Sequence, residues 1–248
     1  MSTEFSHLTD EAQTYPIIRF VGVLDADTAG QVRSVLLEGL AQQPEALIVD
    51  VCDLSVPDPA DALVLRDVAE LTADWPAARL VLCAPTDEPG WQRTGLPVWP
   101  SRAAALTALG SPVPSRRRSL DLDPVVGAAR QSRQLVTEVC GQWNVPELAD
   151  PACIVVTEMV NNVVAHARTP MTVRLALRGD DLTVAVHDGS SSTPTFTGVA
   201  EPTSPGGRGL LLIDAVARRW GNLALDGGKV VWAILRRSAE QPRTASCA

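Results

Sequence analysis

The segment that most restricts the fold is residues 151–168, PACIVVTEMVNNVVAHAR. Its apolar side chains recur with the period of one face of an amphipathic helix, at Val156, Val160, Val163, Val164 and Ala167. Glu158, Asn162 and His166 follow at intervals of four and therefore line the opposite side. Such a stripe could simply face water. Adjacent asparagines are poor helix formers, however, and a carboxylate one turn from an amide oxygen suits a site that takes up a proton and holds a hard cation.

Composition narrows the class of protein. The 248 residues are 46% hydrophobic and 20% charged, as in ordinary globular proteins. Lys and Arg number 21 against 29 Asp and Glu, a formal charge of −8, which argues against nucleic acid or an anionic membrane as a direct partner. Five scattered cysteines without a CxxC pair indicate neither a disulfide framework nor a zinc site. We find no signal peptide and no apolar run of about 18 residues, and therefore expect a cytoplasmic protein.

The first part of the chain predicts an α/β domain over residues 12–110. Apolar strand candidates alternate with helical segments, an order that favours a mostly parallel or mixed sheet covered by helices. The predicted strands are 15–25, 46–51 and 78–85, and the predicted helices are 26–40, 60–73 and 101–109.

This order, with the phrases GVLDADTAGQVRSVLLEGL and LIVDVCDLSVPDPADALVL, resembles the STAS domain of anti-sigma-factor antagonists. In that family a loop reading roughly Asp-Ser-Ser-Gly carries a serine that accepts phosphate. Here the loop reads Asp58-Pro59-Ala60-Asp61, so both hydroxyls are missing, and the nearest one, on Ser55, lies three residues early. The resemblance therefore implies a docking or regulatory domain that lacks the phospho-acceptor.

Residues 111–119 are predicted to be a linker, because prolines, a basic triplet and acidic residues lie close together there. Three arginines could contact phosphate or nucleic acid, but in an acidic protein a solvated linker is the simpler interpretation. A second α/β domain is predicted over residues 120–237, followed by a flexible tail, 238–248. It comprises helices at 125–143 and 151–168, a hairpin of 171–179 and 181–188, a glycine-rich turn leading into a helix, and a last strand at 229–235.

Two features of this second domain suit a nucleotide. Asp188 stands where a strand ends and could accept a hydrogen bond from an adenine amino group, while Gly189 lets a ligand approach the backbone. Gly207 and Gly209 precede a helix, whose N-terminal N–H groups favour phosphate. Taken singly, each feature is also what an ordinary turn or helix lead-in shows. No P-loop is present, since GGKV at 227–230 lacks the hydroxyl residue that would follow the lysine.

The ordered set EMVNNVVAHA, VAVHDGS, GGRGLLLID, ARRWG and GGKVVWAIL resembles the serine/threonine kinase anti-sigma factors, which share the GHKL ATPase fold of histidine kinases, gyrase and the heat-shock chaperone. The resemblance covers residues 119–237. It implies that Glu158 is the general base for an attacking serine hydroxyl, and that Asn162 ligates the Mg²⁺ bridging the ATP phosphates.

The same resemblance assigns the remaining site residues. Asp188 would read the adenine, Gly189 would leave room beside it, and the segment Gly207-Arg208-Gly209-Leu210 would shape the phosphate-facing loop. His166 would either pack the helix or neighbour a phosphate. Independently of the resemblance, alternation along the strand points His187 away from Asp188 and indicates a structural residue. Residues 189–205 would form a lid, which departs from the family's commoner Asp-x-Gly-x-Gly form.

Two functions of different classes follow. One is an ATP- and Mg²⁺-dependent protein serine/threonine kinase that phosphorylates a separate STAS antagonist and controls a sigma factor by partner switching. The other is a catalytically weak or inactive ATP-binding module that sequesters partners, with the fused STAS domain as an autoinhibitory or docking unit. A two-component histidine kinase ranks third, because no helix pair with a phospho-accepting histidine precedes the ATPase module. Relatives suggest dimers, which leaves a homodimer open.

Overall fold

The computed structural model describes residues 4–11, 13–75, 79–85, 90–112, 116–191 and 207–237. Contacts within the chain divide it into two compact units, residues 1–114 and 115–248. The predicted lid, residues 189–205, and the predicted tail, residues 238–248, lie almost entirely outside the described residues.

Unit 1 is a mixed five-stranded sheet with three helices, in agreement with the predicted α/β class. Its strands lie in sequence order, with the first pair antiparallel and the others parallel. They are β1 (Ser6–Asp10), β2 (Ile17–Val23), β3 (Ala46–Ser55), β4 (Arg79–Cys83) and β5 (Val98–Trp99); the helices are α1 (Ala29–Ala41), α2 (Leu63–Leu71) and α3 (Arg102–Leu109).

The helices of unit 1 cover its sheet closely. A Cβ added at Gly39 in α1 would lie 3.0 Å from the Ile18 side chain and 3.2 Å from that of Leu47, so a side chain here would displace these residues by a few tenths of an ångström. Helix α3 packs against a separate apolar cluster that includes Ile48 and Val81. Ser101 caps it by accepting a hydrogen bond from the Ala104 N–H at 3.2 Å, as expected of an N-cap serine.

Two strands of unit 1, β1 and the two-residue β5, lie outside the predicted strands. Residues 6–10 belong to a polar stretch without alternation, yet they form β1 and pair with β2 from Ser6–Val21 to Asp10–Ile17. Their side chains are almost all exposed. Backbone hydrogen bonds at a sheet edge, which leave no mark in the residue pattern, therefore define this strand.

Unit 2 is an antiparallel five-stranded sheet with helices packed on one face. Its strand order is β6-β7-β8-β10-β9. The strands are β6 (Arg116–Leu122), β7 (Met171–Arg178), β8 (Asp181–Asp188), β9 (Arg219–Leu225) and β10 (Gly228–Arg236); the helices are α4 (Ala128–Gln142), α5 (Ala149–Asn162) and α6 (Gly207–Val216).

Helix α5 is the centre of unit 2. It contacts α4 and α6 on its flanks and β8 and β10 beneath, and Val155, Val156, Met159 and Val160 are all but fully buried in one core cluster. Among the described residues, Pro146–Ala167 is long and apolar enough to cross a membrane by length and composition. A core helix of a soluble domain has the same properties, and its place in this cluster accounts for them.

Two strands of unit 2 correct the sequence analysis. Residues 116–119, predicted to be part of a linker, form the start of β6 and pair with β7. Arg116 donates to the Trp143 carbonyl at 2.6 Å, so this part of the basic triplet is not a solvated linker. No strand is predicted between the helix after the glycine turn and the last strand at 229–235, but α6 ends at Val216 and the chain continues as β9. The side chains of β6 are mostly exposed, and in β9 buried and exposed residues alternate only over the last three positions, so neither strand shows a clear period.

Candidate nucleotide site

Glu158 and Asn162 lie on α5 with one helical turn between them. Both side chains are half-buried, whereas the neighbouring Asn161 is exposed. Directly after Asn162 the backbone widens into a π turn, Val163–Ala167, which ends at Arg168 with φ +57°. π turns occur frequently at functional sites. His166 lies in this turn and is exposed, so it does not pack the helix.

The Glu158 carboxylate lies against the start of α6. A Cβ added at Gly209 would be 2.7 Å from Glu158 Oε2 and 3.6 Å from the Glu158 Cβ. Only glycine at position 209 leaves the carboxylate where it is. Leu210, predicted to shape the phosphate-facing loop, is instead buried in the core cluster with Ile213. Gly207 begins α6, while the Arg208 side chain lies outside the described part of the structure.

Asp188 ends β8 and is 2% exposed. Its Oδ1 accepts hydrogen bonds from the Ser190 backbone N–H at 2.8 Å and from Lys229 Nζ at 2.9 Å. Its Oδ2 is buried and has no hydrogen-bond partner among the described residues. A buried acceptor without a donor is costly, and the exocyclic amino group of adenine is a donor of the kind that this oxygen lacks. In this respect the residues fit ATP.

Lys229 was not identified from the sequence as part of the site. It is 7% exposed and faces Asp188 directly across the β8–β10 pair. Two signals were available. It is the only lysine of the chain, beside twenty arginines, and it lies in an apolar strand where a buried cation needs a partner.

The backbone around Asp188 is held tightly. The Gly189 N–H donates to Thr169 Oγ1 at 2.9 Å, and a Cβ at position 189 would already be 3.4 Å from the Thr169 side chain. This is an ordinary van der Waals distance, so Thr169 borders the space beside Gly189 on one side. A Cβ at Gly228 would lie 2.0 Å from the Asp188 carbonyl oxygen, so β10 can begin here only with glycine.

A cleft of about 430 Å³ opens at this end of the sheet. Its lining includes Asp121, Asp123, Met171, His187, Asp188 and Gly189. No group of three or more His, Cys, Asp or Glu side chains in the described ranges could hold a metal ion. A Mg²⁺ ion at Asn162 would therefore take most of its ligands from phosphate oxygens and water, which is usual for this ion.

Residues 124–235 match the family model of the histidine kinase-like ATPase domain. This part of the chain is therefore a histidine kinase-like ATPase domain, which implies that the protein binds ATP. The comparison with curated proteins gives no match.

Solved structures similar to parts of the chain include three that are 20 to 22% identical to it. An anti-sigma factor antagonist from Mycobacterium paratuberculosis is 20% identical, with 44% of this chain and 97% of that one covered and a TM-score of 0.37. The RsbU and RsbW domains of a Mycobacterium tuberculosis protein are 22% identical over 52% of this chain and 34% of that one, at a TM-score of 0.38. The anti-sigma factor antagonist SpoIIAA in its unphosphorylated form is 20% identical, with 42% of this chain and 96% of that one covered and a TM-score of 0.31. This chain thus spans about a third of the Mycobacterium tuberculosis chain.

Proposed function

We propose that the protein is an ATP- and Mg²⁺-dependent serine/threonine kinase that phosphorylates a separate STAS-domain antagonist and thereby controls a sigma factor by partner switching. Unit 1 would be a STAS-like domain without its phospho-acceptor. The observation that carries the proposal is the position of the Glu158 carboxylate, which lies against Gly209 at the start of α6 and one turn from Asn162.

The proposed roles follow from the chemistry of these groups. Asp188 Oδ2 accepts a hydrogen bond from the adenine amino group, and the α6 N-terminus offers N–H groups to phosphate. Asn162 supplies an amide oxygen to Mg²⁺. Glu158 accepts the proton of the attacking serine hydroxyl while the serine oxygen bonds to the γ-phosphorus and the bond to the β–γ bridging oxygen breaks, so that ADP leaves. Positioning and charge stabilisation contribute most of the rate in such transfers.

The test mixes the protein with γ-labelled ATP, Mg²⁺ and STAS-domain proteins from the same organism. We expect label on serine or threonine of a partner, and loss of at least about 100-fold in rate for Glu158→Gln with ATP binding retained. Glu138→Gln, which changes an exposed carboxylate on α4, is the matched control. Absence of transfer to every partner, or a Glu158→Gln variant as active as the wild type, would refute the kinase.

One observation favours the non-catalytic alternative. The loop at Asp58–Asp61 carries no hydroxyl, and Asp58 Oδ1 accepts the Ala60 N–H at 2.9 Å. A fused antagonist without an acceptor cannot be released by the charge of a phosphate. This alternative predicts ATP binding without transfer, and tighter partner binding once residues before Ser115 are deleted. Unchanged partner affinity after that deletion would exclude an autoinhibitory unit 1.

The location and assembly of the protein belong to the same proposal. Partner switching with a sigma factor requires a cytoplasmic protein, and the acidic composition fits control of transcription through proteins without direct contact to nucleic acid. A homodimer, which the resemblance suggests, would give a mass of twice 26.4 kDa in light scattering.

A further inference from the structure

The two ends of the β8–β10 strand pair carry carboxylates held in different ways. At one end Arg236 faces Asp181 and donates to both of its oxygens, Nε to Oδ1 and Nη2 to Oδ2, each at 2.7 Å. At the other end Lys229 faces Asp188 and donates to Oδ1 alone at 2.9 Å. The β8–β10 pair thus contains one carboxylate, Asp181, whose two oxygens both accept hydrogen bonds, and one, Asp188, whose Oδ2 has no hydrogen-bond partner among the described residues.

The free oxygen is a consequence of the lysine. An ammonium is a compact point charge, whereas a guanidinium is a planar fork that matches both oxygens of a carboxylate. Every other basic residue among the chain's 21 is arginine. Lys229 is the exception. An arginine at this position would engage both oxygens of Asp188, including Oδ2, the acceptor that the adenine amino group is proposed to use.

Lys229 also fixes the direction of the carboxylate. Its ammonium donates to the Ser190 carbonyl at 3.2 Å as well as to Asp188 Oδ1, and the Ser190 N–H donates to the same Oδ1. Two donors on Oδ1 prevent the carboxylate from exchanging its oxygens by rotation. The Lys229 ammonium also compensates the negative charge of the Asp188 side chain, which is 1% exposed. A buried carboxylate needs such a partner to stay ionised, and an ionised carboxylate can only accept hydrogen bonds.

We propose that Lys229 is a positioning residue that sets the base specificity of the nucleotide site. By occupying Oδ1 and leaving Oδ2 free, it makes Asp188 select a purine with an amino donor at C6 over one with a carbonyl acceptor there. This inference rests on the proposed ATP site and adds to it the residue that determines which base enters.

The experiment measures dissociation constants of ATP and inosine triphosphate for the full chain. The two nucleotides differ at C6, where one has an amino group and the other a carbonyl. We expect the wild type to prefer ATP by roughly 10- to 100-fold, the range for a hydrogen bond to a charged group. In Lys229→Met, which keeps the stem and removes the charge, the ratio falls to about threefold or less. Arg236→Met, which removes a cation from the same strand, keeps the wild-type ratio.

Lys229→Arg separates positioning from charge. A guanidinium at this place keeps the charge but engages both oxygens, so ATP affinity should fall at least about 10-fold. Wild-type affinity and base preference in Lys229→Arg, or an unchanged preference in Lys229→Met, would overturn the role of Lys229 while leaving the ATP site intact. Failure of the wild type to bind ATP at all would refute the proposed function itself.

A spectroscopic measurement avoids variants that fold poorly. Labelling with ¹⁵N-lysine places a single side-chain nitrogen signal in this protein, because Lys229 is its only lysine. Addition of ADP should shift that signal, and inosine diphosphate at the same concentration should shift it much less. An ammonium signal that stays unchanged when ADP binds would contradict contact between Asp188 and the base.

Discussion

The carboxylate of Glu158 lies 2.7 Å from the place where a Cβ of residue 209 would stand. The proposed general base on α5 and the glycine of the Gly-Arg-Gly turn at the start of α6 are thus fitted to one another. The glycine at position 209 is thus explained by the close approach of the Glu158 side chain, and loop flexibility is not needed to explain it.

Gly209→Ala should reduce phosphate transfer more than stability. The new Cβ forces the Glu158 carboxylate to move by several tenths of an ångström, and a misplacement of this order can cost about 10- to 100-fold in rate. The carboxylate end is flexible, so the free energy of unfolding should change by less than about 1 kcal/mol. Steady-state transfer and urea denaturation measure the two effects. Gly141→Ala in α4, where nothing lies within 4 Å, is the control and should keep full activity.

Asn162→Ala should remove the effect of Mg²⁺ on ATP affinity. The amide oxygen is the ligand that the protein is proposed to give to the ion, and carbonyl-type oxygens suit Mg²⁺. Calorimetry with Mg²⁺ and with EDTA would give two dissociation constants, whose ratio should approach one in the variant. The adjacent and exposed Asn161 provides the comparison, since Asn161→Ala should retain the wild-type ratio. Equal ratios of the two dissociation constants in Asn162→Ala and Asn161→Ala would contradict the proposed role of Asn162 as a Mg²⁺ ligand.

Gly228→Ala should be severely destabilising, whereas Gly227→Ala should be tolerated. A Cβ at position 228 would lie 2.0 Å from the Asp188 carbonyl oxygen, while at position 227 nothing lies within 4 Å. We expect a loss of at least about 2 kcal/mol, or insoluble protein, for the first variant and about 0.5 kcal/mol or less for the second. Thermal and urea denaturation would decide. Similar melting temperatures for the two variants would show that β10 does not approach β8 as described.

Asp188→Ala should destabilise the protein by about 3 to 5 kcal/mol, because it leaves the buried Lys229 ammonium without its partner. Asp181→Ala breaks ion pairs whose arginines are about half exposed and should cost less than about 1 kcal/mol. The free energy of unfolding of each variant, measured in urea at neutral pH, tests the difference. A cost of less than 1 kcal/mol for Asp188→Ala would mean that the Lys229–Asp188 pair reaches water.

Cys52 should be alkylated slowly although it is exposed. Partial burial, and next a hydrogen bond to Asp50, raise the pKa of its thiol from 9.0 to about 11. Because the thiolate is the reacting form, the rate at pH 8 should be roughly 100-fold below that of the urea-unfolded chain and should increase up to about pH 11. Mass spectrometry of the Cys52 peptide after timed iodoacetamide treatment gives the rate. Equal rates in folded and unfolded protein would contradict the raised pKa.

The sequence predicted those elements whose apolar side chains repeat with a clear period. The hairpin of β7 and β8 was predicted almost to the residue, and the predicted helix 151–168 corresponds to α5 together with the π turn that follows it, because the buried faces of these elements leave that pattern. Strands β1, β5, β6 and β9 were missed or misread. The side chains of β1 and β6 are mostly exposed, β5 has only two residues, and β9 alternates only at its end, so backbone pairing with other segments defines all four.

In the candidate site, too, local patterns could be predicted from the sequence and contacts between distant segments could not. Glu158 and Asn162 could be found from their spacing on a single helix. The contact of Glu158 with Gly209 and the pairing of Lys229 with Asp188 join segments 41 to 51 residues apart. No local pattern encodes such contacts, and β10 lies next to β8 in the sheet although β9 intervenes in the chain.

The single lysine of this chain also bears on how the protein can be modified. Acetylation or another acylation of lysine would have to reach an amine that is buried and engaged by Asp188 and Ser190. Such a modification would abolish the positive charge and release the carboxylate that is proposed to choose the base. On the proposed role of Lys229, lysine acylation would therefore remove the base selectivity of the nucleotide site.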